Sequence, residues 1–171
     1  MVATAAWCSR VLAQTPYDVA LNLGVCGSFD PALVPGRVVH VVCDRIAELG
    51  AEDGGVFLPI EQLGLPADYE CINQAPPENA ALAMLPRVRG ITVNTVHGND
   101  RSIAETVRRF SPQVESMEGA AFMYACTIAG VAYAQVRAVS NVVERRNRAA
   151  WKLLEAIDAL GHAALDVLAD V

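Results

Sequence analysis

The chain has 171 residues, of which 53% are hydrophobic and 19% are charged, and this length and composition suit one globular domain with its own core. Its 13 lysines and arginines are scattered among 19 acidic residues, giving a net charge of −6, which argues against a nucleic-acid-binding protein. Every apolar run meets a polar or charged residue before it reaches the roughly 18 residues that a membrane span needs, so we expect no membrane association.

Segments with helical and strand-like spacing of apolar residues alternate along the chain. The first, residues 2–14, predicts a helix that ends before Pro16. Further helices are predicted at residues 78–85, 101–110 and 117–129 and from residue 147 to the C-terminus. Strands are predicted at residues 18–23, 37–43, 90–96, 113–116 and 131–139. Residues 44–64 predict a segment of mixed strand and loop, and residues 65–79 predict a loop. This alternation predicts a single α/β domain over residues 1–171, with a mainly parallel or mixed sheet covered by helices.

The cysteines and the N-terminus bear on the compartment in which the protein works. The cysteines are widely spaced and include no Cys-x-x-Cys pair: Cys8, Cys26, Cys43, Cys71 and Cys126. This set argues against a zinc site and a disulfide framework, and it suits a reducing compartment. The N-terminus also lacks the basic and then apolar layout of a signal peptide. We therefore expect a cytoplasmic protein without a metal site.

Ligands of such sheets bind at the carboxyl ends of strands, and three strand ends in this sequence carry candidate residues. The first is Asn-Leu-Gly-Val-Cys-Gly-Ser at residues 22–28. Its two glycines, Gly24 and Gly27, allow a ligand to approach the backbone closely and leave amides free to donate. The same glycines also suit a plain turn that closes the strand. No Lys-Ser/Thr pair follows them, which excludes a P-loop.

The second candidate is residues 114–122, in which two glutamates flank Met117 at the start of a predicted helix. A carboxylate in the first helical turn also suits the helix dipole, so Glu118 has a structural as well as a functional interpretation. In the functional one, the small residues at 119–121 let the helix pack closely on the sheet and fix Glu118 rigidly. Its carboxylate then accepts hydrogen bonds from two neighbouring hydroxyls, such as those of a ribose.

The third candidate is residues 136–148, where a strand is followed by a basic cluster. The strand delivers Ser140, Asn141 and Glu144, and Asn147 predicts the N-cap of the last helix. Cations at a helix N-terminus oppose the dipole, so the arginines of this cluster need an anionic ligand or Glu144 as a partner. A solvated charged face is the alternative interpretation. The arginines concerned are Arg145, Arg146 and Arg148.

Together these stretches resemble the purine nucleosidase/phosphorylase superfamily, which includes the methylthioadenosine/adenosylhomocysteine nucleosidases. That superfamily has a glycine-rich strand end, a Val/Leu-Glu/Asp-x-Met-Glu-Gly/Ala-Ala helix start and an Arg-x-Ile/Val-Ser-Asp/Asn strand end. These three pieces occur here in the same order, at residues 22–28, 114–121 and 137–141. The resemblance implies a three-layer, nucleoside phosphorylase-like fold with a central mixed sheet flanked by helices.

Within the superfamily, residues 92–96, 115–121 and 139–148, followed by Trp151, resemble the futalosine hydrolases. This resemblance implies cleavage of futalosine to hypoxanthine and dehypoxanthine futalosine, a step of the alternative menaquinone pathway. It implies water as the nucleophile and no metal or organic cofactor. The expected partners are a small-molecule nucleoside and a second copy of the chain in a homodimer, with no nucleic acid and no membrane.

The resemblance also implies a role for each candidate residue. Glu118 holds the ribose hydroxyls, Met117 packs against the sugar, and Asn141 is the catalytic residue that binds and stabilises the leaving base. Adenine-cleaving relatives carry Asp at that position, whereas an amide suits a 6-oxopurine, whose N7 and O6 both accept hydrogen bonds. Arg146 is expected to pair with the carboxylate of the 5′ extension of futalosine. The other substrate-binding residues implied are Val25, Cys26, Gly27, Ser140 and Glu144.

The start of the chain departs from this family pattern. Relatives begin with a strand and a loop that carries a water-activating acid, whereas this sequence begins at the helix that follows them. We therefore expect the 171-residue product to be impaired in catalysis and to have an uncovered strand edge. Two other functions stay open at this point: a nucleoside phosphorylase or methylthioadenosine nucleosidase, and a catalytically dead nucleoside-binding or oligomerisation module.

Overall fold

The computed structural model describes residues 1–65 and 70–170, and helices and strands alternate along it as the sequence predicts. Its α-helices are α1 (Val2–Gln14), α2 (Ala80–Met84), α3 (Asp100–Phe110), α4 (Gly119–Ala129) and α5 (Leu153–Ala169). Its strands are β1 (Val19–Ser28), β2 (Val38–Ile46), β3 (Gly50–Asp53), β4 (Val56–Pro59), β5 (Glu70–Ile72), β6 (Arg87–Thr92), β7 (Val114–Ser116) and β8 (Ala132–Val142). Short 3₁₀ helices span Ile60–Leu63 and Arg148–Ala150.

Six strands form one mixed sheet in the order β5-β2-β6-β7-β1-β8, and β3 and β4 form a separate hairpin. The pairs β1–β8, β2–β6 and β6–β7 are parallel, whereas β1–β7, β2–β5 and β2–β8 are antiparallel. Because β8 also pairs with the first half of β2, five strands close on themselves. Branched side chains from these strands pack together in one buried cluster that includes Val39, Val88, Val114 and Val139.

Helices cover both faces of this sheet. On one face, α1 and α4 pack around Phe122, Met123 and Tyr133. On the other, α2 and α5 pack around Ala134 and Val167. Tyr133 and Ala134 are consecutive residues of β8, so their side chains point to opposite faces. The expected α/β fold with a central mixed sheet between helices is thereby confirmed.

One strand differs from the sequence prediction in a way that affects the candidate site. We predicted that β1 ends near Leu23 in a turn, but it continues through Gly27 to Ser28. Gly24 lies inside the strand, where Arg137 packs against it. A side chain is excluded at this position because a Cβ would lie 2.0 Å from Nη1 of Arg137. The plain-turn interpretation of these glycines is therefore wrong. In the part of the chain that the structure describes, residues 19–26 pair only with β8, which leaves the expected uncovered strand edge.

The other corrections concern where elements begin and end. β6 ends at Thr92 because the backbone amides of Asn94 and Thr95 turn away to donate to the carboxylate of Glu48. The predicted loop at 65–79 contains strand β5, and its residues 66–69 lie outside the described residues.

The last helix also starts later than predicted. α5 begins at Leu153, and Asn147 makes no capping hydrogen bond, so its prediction as the N-cap of that helix is wrong. The backbone amide of Lys152 instead donates to the carbonyl of Ser140, at 2.8 Å, which holds the connecting segment against β8. Arg145 and Arg146 precede the 3₁₀ turn and Arg148 is its first residue, so the basic cluster is separated from the start of α5 and the dipole argument does not apply to it. Among the described helices, none is long and apolar enough to cross a membrane.

Candidate functional site

A cleft of about 280 Å³ opens where the carboxyl ends of β1 and β8 meet β7. It brings together all three stretches singled out in the sequence. Of the predicted site residues, only Glu144 is absent from its lining, and its side chain is exposed on the segment that follows β8. The cleft is lined by Val25, Cys26, Gly27, Val96, His97, Glu115, Ser116, Met117, Glu118, Ser140, Asn141, Arg146 and Trp151.

Strand register explains why residues far apart in sequence meet in this cleft. Gly27 of β1 pairs with Glu115 of β7 on one side and with Asn141 of β8 on the other. A β-bulge between Cys26 and Gly27 shifts the register at this point. The result is a row across three strands in which a residue without a side chain lies between a carboxylate and a carboxamide.

Asn141 is held in one orientation by its neighbours. Its Oδ1 lies 2.8 Å from the Ser140 hydroxyl, and its Nδ2 donates to the carbonyl of Val142 at 3.0 Å. The Ser140 hydroxyl also lies 3.1 Å from the carbonyl of Cys26. A carboxamide has two N–H donors and two lone pairs on its oxygen, so these bonds leave one of each for a ligand.

Glu118 occupies the N-cap of α4, one residue before the first turn, and its carboxylate makes no capping hydrogen bond. The carboxylate instead lies 3.7 Å from Nη1 of Arg137, and 44% of the Glu118 side chain is exposed. The Arg137 side chain is buried, and its Nε and Nη2 have no partner among the described residues. Burial lowers the pKa of Arg137, while Glu118 raises it. Arg137 does not line the cleft, and its contact with the site runs from Nη1 to the Glu118 carboxylate.

A buried polar network underneath the cleft fixes the start of α4. Asp44 accepts hydrogen bonds from the Thr92 hydroxyl and from Nε2 of Gln135, each at 2.8 Å, and Thr92 Oγ1 accepts one from the Ala120 amide at 2.7 Å. A Cβ on Gly119 would lie 2.0 Å from Oδ2 of Asp44, so only glycine allows the helix to come this close. Burial raises the pKa of Asp44 to about 6, against the opposing effect of its hydrogen bonds with Gln135 and Thr92.

A histidine that the sequence analysis did not single out holds the second glutamate of the cleft. Glu115 is buried and accepts a hydrogen bond from the backbone amide of His97, at 3.1 Å. Its other oxygen lies 2.6 Å from Nδ1 of the same histidine, and Nε2 lies 2.9 Å from the hydroxyl of Thr106. The Glu115 carboxylate and the Thr106 hydroxyl thus hold the two ring nitrogens of His97.

The outer wall of the cleft is basic and aromatic. The guanidinium of Arg146 lies 6.0 Å from the centre of the Trp151 ring, within cation–π range, and its backbone amide donates to the carbonyl of Gly98. Arg145 and Arg148 are exposed and do not line the cleft. On the inner wall, burial raises the pKa of Cys26 to about 12, so its thiol stays protonated and offers no nucleophile.

A sequence profile of the phosphorylase superfamily matches residues 1–169, nearly the whole chain. The chain belongs to the phosphorylase superfamily. This membership agrees with the three motifs that the sequence analysis found in family order, and the cleft of this superfamily member is where all three converge.

Among curated proteins, this phosphorylase-superfamily chain is similar to futalosine hydrolases. That of Acidothermus cellulolyticus is 37% identical over 161 residues, which cover 89% of the chain and 65% of the relative. That of Thermus thermophilus is 31% identical over 168 residues, which cover 92% of the chain and 72% of the relative. The chain thus spans about two thirds of the length of the curated relatives it matches.

Solved structures agree with the superfamily at the level of the fold. A 5′-methylthioadenosine/S-adenosylhomocysteine nucleosidase from Colwellia psychrerythraea, solved in complex with adenine, superposes with a TM-score of 0.80. The superposition covers 98% of this chain and 73% of the nucleosidase, at 18% sequence identity. At that identity the likeness concerns the fold alone.

Proposed function

We propose that this protein is an N-ribosyl hydrolase that cleaves futalosine to hypoxanthine and dehypoxanthine futalosine, with water as the nucleophile and without a metal or organic cofactor. The similarity to futalosine hydrolases over about nine tenths of the chain supports this substrate. The observation that carries the proposal is the arrangement of the cleft, in which Glu118 and Asn141 line the same cavity from different elements.

Cleavage of an N-glycosidic bond develops positive charge on the ribose and negative charge on the departing purine, and the proposed roles follow from this separation. Glu118 accepts hydrogen bonds from the ribose hydroxyls and stabilises the cationic sugar, against which Met117 packs. Arg137, whose Nη1 lies 3.7 Å from that carboxylate, holds it in position for the sugar. The backbone of residues 25–27 forms the floor near the sugar.

Asn141 acts at the other end of the breaking bond. Its remaining Nδ2 hydrogen donates to N7 or O6 of the base, where negative charge accumulates as the base leaves. Ser140 supports this role because its hydroxyl lies within hydrogen-bond distance of Oδ1 and limits rotation of the amide. An amide needs no change of protonation state for this task, which suits a leaving hypoxanthine.

Arg146 is proposed to pair with the carboxylate on the 5′ extension of futalosine, because its guanidinium lies at the rim of the cleft against Trp151. Glu144 is exposed next to this rim and does not line the cleft. Its proposed role is limited to pairing with the neighbouring arginines. We further propose that the protein acts in the cytoplasm, as a homodimer, in the alternative menaquinone pathway.

The test uses chromatography to measure the release of hypoxanthine from futalosine by the purified chain, in reactions with and without phosphate. We expect release that does not depend on phosphate and that is faster than release of adenine from methylthioadenosine. Asn141→Ala should lower kcat by about a hundredfold or more, by analogy with loss of one stabilising donor. The matched control is Asn147→Ala, since Asn147 is exposed and makes no capping hydrogen bond.

Three results would count against the proposal. Phosphate-dependent release would indicate a phosphorylase, and preference for methylthioadenosine would indicate the other nucleosidase class. Binding of futalosine without any release of base would indicate a nucleoside-binding module.

A further inference from the structure

The start of α4 is capped by side chains from outside the helix and not by its own N-cap residue. In an ordinary helix, the amide of the second or third residue donates to a side-chain oxygen of the N-cap residue. Here that residue is Glu118, whose carboxylate makes no such bond. The amide of Ala120 donates instead to Oγ1 of Thr92 at the end of β6, at 2.7 Å, and the amide of Gly119 donates to Oγ of Ser116, at 3.3 Å. The first two amides of α4 are thus satisfied without Glu118.

The hydroxyl of Thr92 is turned toward the helix by Asp44. Thr92 donates its proton to Oδ1 of Asp44 at 2.8 Å, so the lone pairs of Oγ1 are left to accept from the Ala120 amide. Nε2 of Gln135 holds the other oxygen of Asp44, also at 2.8 Å. Thr92 and Ala120 are both 0% exposed, so water has no access to this amide and cannot take the place of Oγ1.

This arrangement leaves the Glu118 carboxylate available to the cleft. The carboxylate lies 3.7 Å from Nη1 of Arg137, and 44% of the Glu118 side chain is exposed. If Ala120 lost its acceptor, its buried amide would be an unsatisfied donor two residues after that carboxylate. An unsatisfied buried donor costs more than a half-exposed ion pair contributes. Without Thr92, Glu118 would therefore turn away from Arg137 and cap its own helix.

We propose that Thr92, oriented by Asp44, is a positioning residue that keeps Glu118 out of the cap of α4 and directs its carboxylate to the ribose hydroxyls. This inference rests on the proposed function, which puts the ribose at Glu118. Thr92 does not line the cleft, so it acts on the substrate only through α4 and Glu118.

The test is calorimetric titration of the chain with 9-deazainosine, whose carbon–carbon glycosidic bond water does not cleave, and with its 2′,3′-dideoxy derivative. The two ligands share one base, so the ratio of their affinities measures what the ribose hydroxyls contribute to binding. We expect the unaltered chain to bind the ribonucleoside about tenfold more tightly, or better. Thr92→Val replaces the hydroxyl by a methyl group of similar size and should lower this ratio about tenfold, to the value of Glu118→Ala.

Matched variants separate positioning from a general loss of packing. Thr92→Ser keeps the hydroxyl and should keep the ratio. Thr127→Val makes the same change near the other end of α4, where the hydroxyl donates to the carbonyl of Met123, and should also keep it. Thr92→Ala removes the same acceptor and serves if Thr92→Val does not fold. A crystal structure of either Thr92 variant without a hydroxyl should show the Glu118 carboxylate within hydrogen-bond distance of the Ala120 amide.

The outcomes distinguish this inference from the proposed function. If futalosine is cleaved but loss of the Thr92 hydroxyl leaves the ratio unchanged, the positioning role is wrong and the hydrolase assignment stands. If futalosine is not cleaved but the ratio depends on both Thr92 and Glu118, the hydrolase assignment fails and the positioning role holds. Equal affinities of the unaltered chain for the two nucleosides, or no binding of either, overturn the inference even if the Thr92 variants fail to fold.

Discussion

Replacing Asp44 by asparagine should change how the stability of the protein depends on pH. Asp44 is 1% exposed and lies beneath the start of α4, where Thr92 and Gln135 donate to it. Its burial raises the pKa from the ordinary value of 3.8 to about 6. The protonated form is therefore the one that the folded state favours, and ionisation of Asp44 destabilises the fold.

The sign and size follow from linkage between protonation and folding. A carboxyl with a raised pKa contributes its full stability below pH 3.8, where it is protonated in both states, and loses it as the pH rises through about 6. A pKa change from 3.8 to about 6 corresponds to about 3 kcal/mol. Asp44→Asn cannot ionise, so its free energy of unfolding should rise relative to that of the unaltered chain by up to about 3 kcal/mol between pH 4 and pH 7.

The assay is urea unfolding at several pH values in this range, with the unaltered chain and Asp44→Asn compared at each. Changes in hydrogen bonding caused by the substitution shift the plot of unfolding free energy against pH by a constant amount, whereas the loss of ionisation changes the slope of that plot. Asp53→Asn, at an exposed hairpin position, is the control for removal of one negative charge. A constant difference between the two proteins from pH 4 to pH 7 would refute the assignment of Asp44 as a carboxyl whose pKa is raised by burial.

Three further predictions concern the glycines and the cleft. Gly119→Ala should lower the free energy of unfolding by about 1–3 kcal/mol, because its Cβ would lie 2.0 Å from Asp44 Oδ2. The control is Gly161→Ala in α5, where a Cβ would have no atom within 4 Å, and it should raise the free energy of unfolding by up to about 1 kcal/mol. Equal effects of the two substitutions in urea unfolding would contradict the close approach of α4 to Asp44. Gly24→Ala should displace Arg137 from Glu118 and lower kcat for futalosine, and an unchanged kcat would show that Arg137 takes no part. Arg146→Ala should raise KM for futalosine about tenfold and leave KM for inosine, which lacks the 5′ carboxylate, nearly unchanged; an equal rise for both nucleosides would exclude the carboxylate contact.

Local patterns were enough to predict most of the fold. Apolar spacing predicted α1 at residues 2–14 without error, and the β-branched run at 37–43 predicted the centre of β2. The ends of elements were predicted less well, because tertiary contacts decide them. Glu48 draws the backbone out of β6 after Thr92, and the contact between Lys152 and Ser140 delays the start of α5.

The motifs predicted most of the cleft, but they could not show how its side chains are paired. His97 and Glu115 are separated by 18 residues and meet only because β7 lies beside β6. Arg137 gave one usable signal, a charged residue in the middle of an apolar strand, but nothing local showed that it packs against Gly24 and faces Glu118. Glu144 was predicted from its nearness to the strand end, and the chain turns outward before reaching it.

The most direct test of the account is a crystal structure of the chain with a bound 6-oxopurine nucleoside. We expect the base above Gly27 with N7 or O6 within hydrogen-bond distance of Asn141, and the ribose hydroxyls within hydrogen-bond distance of the Glu118 carboxylate. A nucleoside bound away from this cleft, or bound in it with its ribose out of reach of Glu118, would contradict the convergence of the three stretches on one substrate.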